Sequence, residues 1–305
     1  MKNLKTLSFW RYCALALSTV MVLSALVLLS WRGLALGQDF TGGMVQDITL
    51  SQPIKAEQLT QVLTPILKER PQVVKNGDGW RISYQQDPSP DFALAKVLSA
   101  KLGSPVTLVN SSFVGSQVGS GQVAQSALAV AMAALGILAY LAVRFEWRLA
   151  TGAILALLHD VVLVLGVFSL FGFEFDLTVL AALLAVMGYS VNDSIVVADR
   201  LRETLGKRHK TPMPELVDNA IRSTFSRTLV TSGTTLFTVG AILLLGGEPL
   251  FGFALTLFVG IVVGTWSSIF VAATLGELFG LKPEHYLKKP REPKEGEHLP
   301  AAHFQ

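Results

Sequence analysis

Cysteine is almost absent. Cys13 stands alone in 305 residues, so no disulfide can form within the chain and no Cys/His spacing suits a metal. Cysteine usage therefore says nothing about the compartment. Charge is scarce as well: 15% of residues are charged, against about 25% in ordinary soluble domains. A formal net charge of +3 is too small to imply nucleic acid, and no basic–aromatic cluster suggests it. The longest polar segment holds no His, Cys or paired-carboxylate cluster, so no catalytic constellation, cofactor or metal is expected there. Two short loops, "FGFEFD" and "GGEPL", contain no Lys or Arg.

Hydrophobic residues are what the chain has in excess, at 51%. That balance describes an integral membrane protein. A span needs roughly 20 mostly apolar residues, and six segments qualify: 12–30, 123–143, 149–171, 177–199, 226–246 and 250–275. The first resembles a signal peptide in its basic start (Lys2, Lys5, Arg11) and in Ala35-Leu36-Gly37, a faint cleavage site. Its apolar stretch of about 18 residues exceeds the usual signal core of about 7–15, so an uncleaved anchor is expected.

Short-loop charge sets the orientation. Lys2, Lys5 and Arg11 precede span one, and Arg144 and Arg148 separate spans two and three. Arg200, Arg202, Lys207, Arg208 and Lys210 follow span four. Lys282, Lys288, Lys289, Arg291 and Lys294 follow span six. Basic loops alternate with non-basic ones, which predicts cytoplasmic N- and C-termini. Residues 1–11 are then a cytoplasmic N-terminus, 12–30 is span one, 31–122 is an outside domain with linkers, and 123–275 holds spans two to six. The tail, 276–305, is rich in Lys, Glu, Pro and Gly and is expected to be largely disordered.

Within the outside segment, "MVQDITL" reads as a strand and "KAEQLTQVLTPILKER" as a helix, with Leu59, Val62, Leu63, Ile66 and Leu67 at helical period. "QVVK" and "WRISY" flank "NGDG", a hairpin signal. "DFALAKVLSAKLG" is a second helix and "PVTLVNSSFV" a last strand. The order βαββαβ predicts an α+β ferredoxin-like layer, read as a binding or mechanical module. "GSQVGSGQ", 115–122, reads as either a hinge or an ordinary linker.

Ionisable groups within spans are the functional candidates, because a charge near a span centre costs about 2.5–3.5 kcal/mol on insertion scales. They are His159 and Asp160 in span three, Asp193 beside Asn192 in span four, and Arg227 in span five. Asp193 lies about nine residues before Arg202, roughly 13 Å below the surface. Ala182, Val186, Tyr189, Val197 and Arg200 share its face. Antiparallel spans four and five let Asp193 and Arg227 meet at similar depth; the alternative is that Arg227 snorkels to the interface. Thr231, Thr234 and Thr238 fall near the Arg227 face. They form either a hydroxyl pathway or a set of side chains bonded to their own helix carbonyls. His159 and Asp160 point about 100° apart, so one can line a pathway while the other holds a neighbouring helix.

These residues sit in a pattern that resembles the SecF family of bacterial protein-export subunits, part of the SecD/SecF family and the resistance–nodulation–division superfamily. "GYSVNDSIVVADRLRE" is similar to its span-four signature, "DFTGG" (39–43) to the motif after span one, and "ALLHDVVLVLG" to span three. "FSRTLVTSGTTL" resembles the start of span five and "GGEPLFGFALTLFVGIVVGTWSSI" the final loop and span. The likeness covers nearly all of 1–280; Ser116 stands where the family often has proline.

The resemblance implies a multi-pass protein of the bacterial inner membrane with its small domain in the periplasm. Its implied partners are SecD, the SecYEG channel, YajC, YidC and translocating preproteins, with SecA acting earlier. Proton motive force would drive late-stage translocation. It implies Asp193 and Arg227 as the coupling charge pair, with Asn192 in the same motif. It does not imply enzyme chemistry. A rival reading is one half of a small-molecule or lipid transporter. A second is an intramembrane aspartyl protease using Asp160 and Asp193; its Gly-x-Gly-Asp motif is missing, since "SVN" precedes Asp193. A third is a passive scaffold.

Overall fold

The computed structural model describes residues 4–52, 54–67, 71–84, 94–207 and 211–286. The expected disordered tail lies outside the described residues from 287 onward, as do Arg208 and Lys210. Helix α1 (Leu4–Arg32) leads to a two-residue strand β1 (Ala35–Leu36) and a single turn α2 (Gln38–Thr41). An α/β domain follows: β2 (Gly43–Leu50), α3 (Ala56–Leu67), β3 (Gln72–Asn76), β4 (Gly79–Tyr84), α4 (Leu94–Leu102) and β5 (Val106–Val114). Then come α5 (Ser116–Arg144), α6 (Trp147–Phe171), β6 (Glu174–Phe175), α7 (Leu177–Lys207), α8 (Met213–Leu245), α9 (Glu248–Ser267), a π-helical turn at Ser268–Ala272 and α10 (Ala273–Leu278).

The α/β domain is one antiparallel sheet in the order β3-β4-β2-β5. Alternation along β2 sends Met44 and Ile48 inward. There they meet Leu59, Leu63 and Leu67 from α3 and Leu94 and Leu98 from α4. The β3–β4 hairpin closes on two residues, with Gly77 at φ 54°, a left-handed backbone that glycine adopts without strain. Between β5 and α5 only Gly115 intervenes, and helix begins at Ser116. From Ser116 the glycine–serine stretch is helical. Its serines and glycines are the first turns of α5, because chain leaving the sheet runs straight into a helix whose apolar residues follow without a break.

Six helices are long and apolar enough to cross a membrane: Leu7–Arg32, Gly121–Arg144, Trp147–Phe171, Leu177–Lys207, Met213–Leu245 and Pro249–Leu278. Four helices run well past the sequence expectation: α1 from Leu4, α5 from Ser116, α7 to Lys207 and α8 from Met213. The apolar windows of α7 and α8 stop where charges begin, but the helices continue as an amphipathic hairpin. Leu201, Leu205, Leu216, Val217, Ala220 and Ile221 form its buried seam, while Arg200, Glu203 and Lys207 pair with one another outside it.

Close helix approach is set by small residues. A Cβ on Gly260 of α9 would overlap Val186 of α7, and one on Gly264 would come within 3.0 Å of the Ser190 Cβ. Helix α6 meets the π turn in the same way, since a Cβ on Gly152 would overlap the Ala272 carbonyl. The start of α7 is held by two carboxylates. Asp176 accepts from the Val179 amide at 2.8 Å, and Asp39 accepts from the Leu177 amide at 3.1 Å. Both satisfy amides that a helix N-terminus leaves open. The "DFTGG" motif thus anchors the helix that carries Asp193, while its Phe40 stacks on Phe175.

Candidate functional site

Three helices converge on Asp160, which is fully buried. Its carboxylate meets His159 Nδ1 at 2.8 Å, the Ser267 hydroxyl of α9 at 2.8 Å and the Ser190 hydroxyl of α7. His159 and Asp160 therefore bond each other, although neighbouring helical side chains diverge: the imidazole folds back along its own helix to reach Oδ1. The serines are the donors that bring α7 and α9 to this carboxylate. Buried charge survives only where donors surround it, and Asp160 has them on both oxygens.

Asp193 is 4% exposed and differently placed. Its one side-chain hydrogen bond is to the Ser232 hydroxyl of α8 at 3.5 Å. Ser232 in turn accepts from Thr265 of α9 at 2.7 Å and meets the Tyr189 hydroxyl at 3.5 Å. Arg227 forms no salt bridge with Asp193 within 4 Å; the guanidinium acts on the carboxylate through space. Arg227 is exposed on the outer face of α8, with Thr231, Thr234 and Thr238 beside it. Each of these three hydroxyls donates to a carbonyl of its own helix: Arg227 O at 3.0 Å, Val230 O at 2.9 Å and Thr234 O at 3.2 Å. Asn192 is exposed, on the opposite side of α7 from the buried seam.

The hydroxyls that touch the two carboxylates are Ser190, Ser232 and Ser267, with Thr265 bonded to Ser232 behind them, and spacing singles out none of them. A signal was present: Ser190, Ser232 and Ser267 all fall inside the quoted motifs. Asp160 and Asp193 belong to separate hydrogen-bond sets with no bond between them. They do not form the proton-sharing pair of an aspartyl protease.

A third ionic group lies at the end of the bundle away from the α/β domain. Arg11 is fully buried, with Nε 2.7 Å from Asp218 of α8 and an amino group 2.9 Å from Glu277 of α10. Ser8 and Tyr12 add bonds to the same two carboxylates. By position along the sequence Arg11 counts as a loop charge; in the structure it is neutralised inside the helix packing by Asp218 and Glu277.

The family described as "Protein export membrane protein SecD/SecF, C-terminal" matches residues 95–281. The protein translocase subunit SecF of Escherichia coli O157:H7 is 39% identical over 303 residues, covering 96% of this chain and 93% of its own. That of Vibrio alginolyticus is 39% identical, covering 97% and 96%. The chain belongs to the SecF family. In three dimensions this SecF-family chain is similar to SecDF of Thermus thermophilus, a translocon-associated membrane protein, with a TM-score of 0.82 at 33% identity over 90% of this chain. It superposes on SecDF in a super-membrane-facing form with a TM-score of 0.62. The chain spans 38% and 37% of those two SecDF chains.

Proposed function

We propose that this SecF-family subunit works with a SecD partner to convert an ion gradient, the proton motive force, into late-stage movement of preproteins through the SecYEG channel. The observation that carries the reading is the contrast between the two buried carboxylates. Asp160 is bound by an imidazole and two hydroxyls. Asp193 has a single long bond and a cation acting only through space. A group so lightly held can change charge with little rearrangement of donors, so Asp193 is the ion-binding group. Asp160 and His159 hold the helices against which it works.

Protonation of Asp193 removes its attraction to Arg227 and loosens the Ser232–Thr265 link between α8 and α9. Arg227, Thr231, Thr234 and Thr238 sit on a face that lipid alone would solvate poorly. That face is where SecD packs, and there Arg227 gains its polar surroundings. The α/β domain, ferredoxin-like in its βαββαβ order, lies in the periplasm, with both chain termini in the cytoplasm of a bacterial inner membrane. YajC and YidC complete the assembly, and SecA acts before it. One charge crossing 100 mV supplies about 2.3 kcal/mol, so useful work takes repeated cycles.

The deciding experiment follows late-stage translocation in inverted vesicles after ATP is exhausted, with proton or sodium gradients applied separately. Asp193→Asn should assemble with SecD yet lose the gradient-dependent phase. Wild-type export with Asp193→Asn sinks the reading, and dependence on sodium alone replaces the proton with sodium.

A further inference from the structure

At the end of the bundle away from the α/β domain, a groove of about 470 Å³ runs between α1, α8 and the π-helical turn. Its wall is Leu7, Ile221, Arg222, Phe225, Ile269 and Phe270. Five of these are apolar and Arg222 carries the wall's one charge. Phe225 is 43% exposed, so the groove opens on the outer surface of the bundle. Its floor is firm: Ile269 is buried in the core, and Phe270 lies against Trp266 with ring centroids 4.7 Å apart.

Position sets what this groove meets. Span five is expected from residue 226, so Arg222 stands about 6 Å before the hydrocarbon begins, at headgroup depth and one turn ahead of Phe225. The apolar part of the wall suits an acyl chain. The guanidinium makes a different demand. It carries five N–H donors in a planar fork that fits phosphate oxygens, more than a single protein partner uses. Asp218, one turn from Arg222 on α8, is fully buried and its oxygens are held by Arg11 and Ser8, so it does not line the groove and Arg222 sets the sign of the rim. Basic pockets between helices at this depth take anionic lipid head groups.

We propose that the groove binds one anionic phospholipid, with an acyl chain against Leu7, Phe225 and Phe270 and the phosphate held by Arg222. Arg222 and Arg227 are five residues apart, about 140° around α8. The groove therefore lies on a different side of α8 from the Arg227 face given to SecD, and it stays open in the complex. The site is apart from Asp193, and the inference does not rest on the ion-coupling reading.

The test takes the full chain, alone and with its SecD partner, delipidated in detergent, and counts bound lipid by native mass spectrometry as phospholipid is titrated in. Dioleoyl phosphatidylglycerol should bind about fivefold more tightly than dioleoyl phosphatidylcholine. Arg222→Gln should bring the first down to the level of the second. Arg200→Gln, which removes an exposed charge from α7 at the same end, should leave the preference intact. Leu7→Trp, which fills the groove, should weaken both lipids. Dihexanoyl phosphatidylglycerol has the same head group on chains too short for the groove and should bind weakly, which tests the apolar wall without a substitution. Equal affinity for the two dioleoyl lipids overturns the proposal, and so does an equal effect of Arg222→Gln and Arg200→Gln. Tight binding of the short-chain lipid, or displacement of the long-chain one by sodium phosphate, reduces the site to an anion contact and also overturns it. Binding to the isolated chain that vanishes with SecD present does the same, because the groove is then a subunit interface.

Discussion

Asp160 and Asp193 are both buried, and what surrounds each decides how a substitution reads out. Asp160→Asn turns an acceptor of three donors into an amide that competes with them. Removing partners from buried polar groups costs about 1–3 kcal/mol. Thermal unfolding in detergent should therefore show Asp160→Asn clearly less stable, while Asp193→Asn, with one long bond at stake, stays close to wild type. Arg11 is the more severe case. Arg11→Leu strands Asp218 and Glu277 without their cation, and breaking a buried pair from one side costs about 3–5 kcal/mol. Poor yield or a sharply lower melting temperature is expected. Neutralising the acids together with the cation, as in Arg11→Leu/Asp218→Asn/Glu277→Gln, should recover much of the loss.

At the scale of elements, the contact between α7 and α9 depends on glycines. Gly260→Leu puts a branched side chain where Val186 already sits, and overpacking costs about 1–3 kcal/mol. The variant should also part Ser190 from Asp160, seen as faster amide exchange in mid-α7. In the α/β domain, burial pushes the Tyr84 phenol up to about 12. The unfolded chain ionises near its ordinary value of about 10, so ionisation favours unfolding between the two. The domain's full stability is present below pH of about 10 and falls as pH rises toward about 12. Alkaline titration of Trp80 fluorescence should show the drop, and Tyr84→Phe should flatten it. The strands and helices of this domain were legible because their apolar residues alternate or recur at helical period. The extended ends of α7 and α8 were not: their buried seam lies among charges, and a hydropathy window averages the two together.

For the whole molecule, the α/β domain is tied to the bundle at several points. Strand β1 pairs with β6 in the α6–α7 connection, and Asp39 caps α7. Gly115 joins β5 directly to α5. The proposed orientation has a direct check in a Cys13→Ser background. Ser51→Cys, exposed in the α/β domain, should react with a membrane-impermeant maleimide on intact cells. Glu203→Cys, on the α7–α8 hairpin, should react only after permeabilisation. The reverse pattern inverts the topology.

By itself the sequence determined the number of apolar spans, the segment between the first and second, and the four ionisable positions inside the membrane. Those properties follow from composition and period along one chain, and a long apolar run or a lone carboxylate is visible without its neighbours. Tertiary structure alone decided the partners. It gave Asp160 the serines of α7 and α9 and Asp193 only Ser232. It turned Arg227 outward and buried Arg11 between α8 and α10. It also left His159 Nε2 buried without a hydrogen-bond partner. Hydrogen bonds and charge pairs join residues from different helices, and which helices touch is set by where glycines allow backbones to meet, a property of surfaces in three dimensions and not of spacing along the chain.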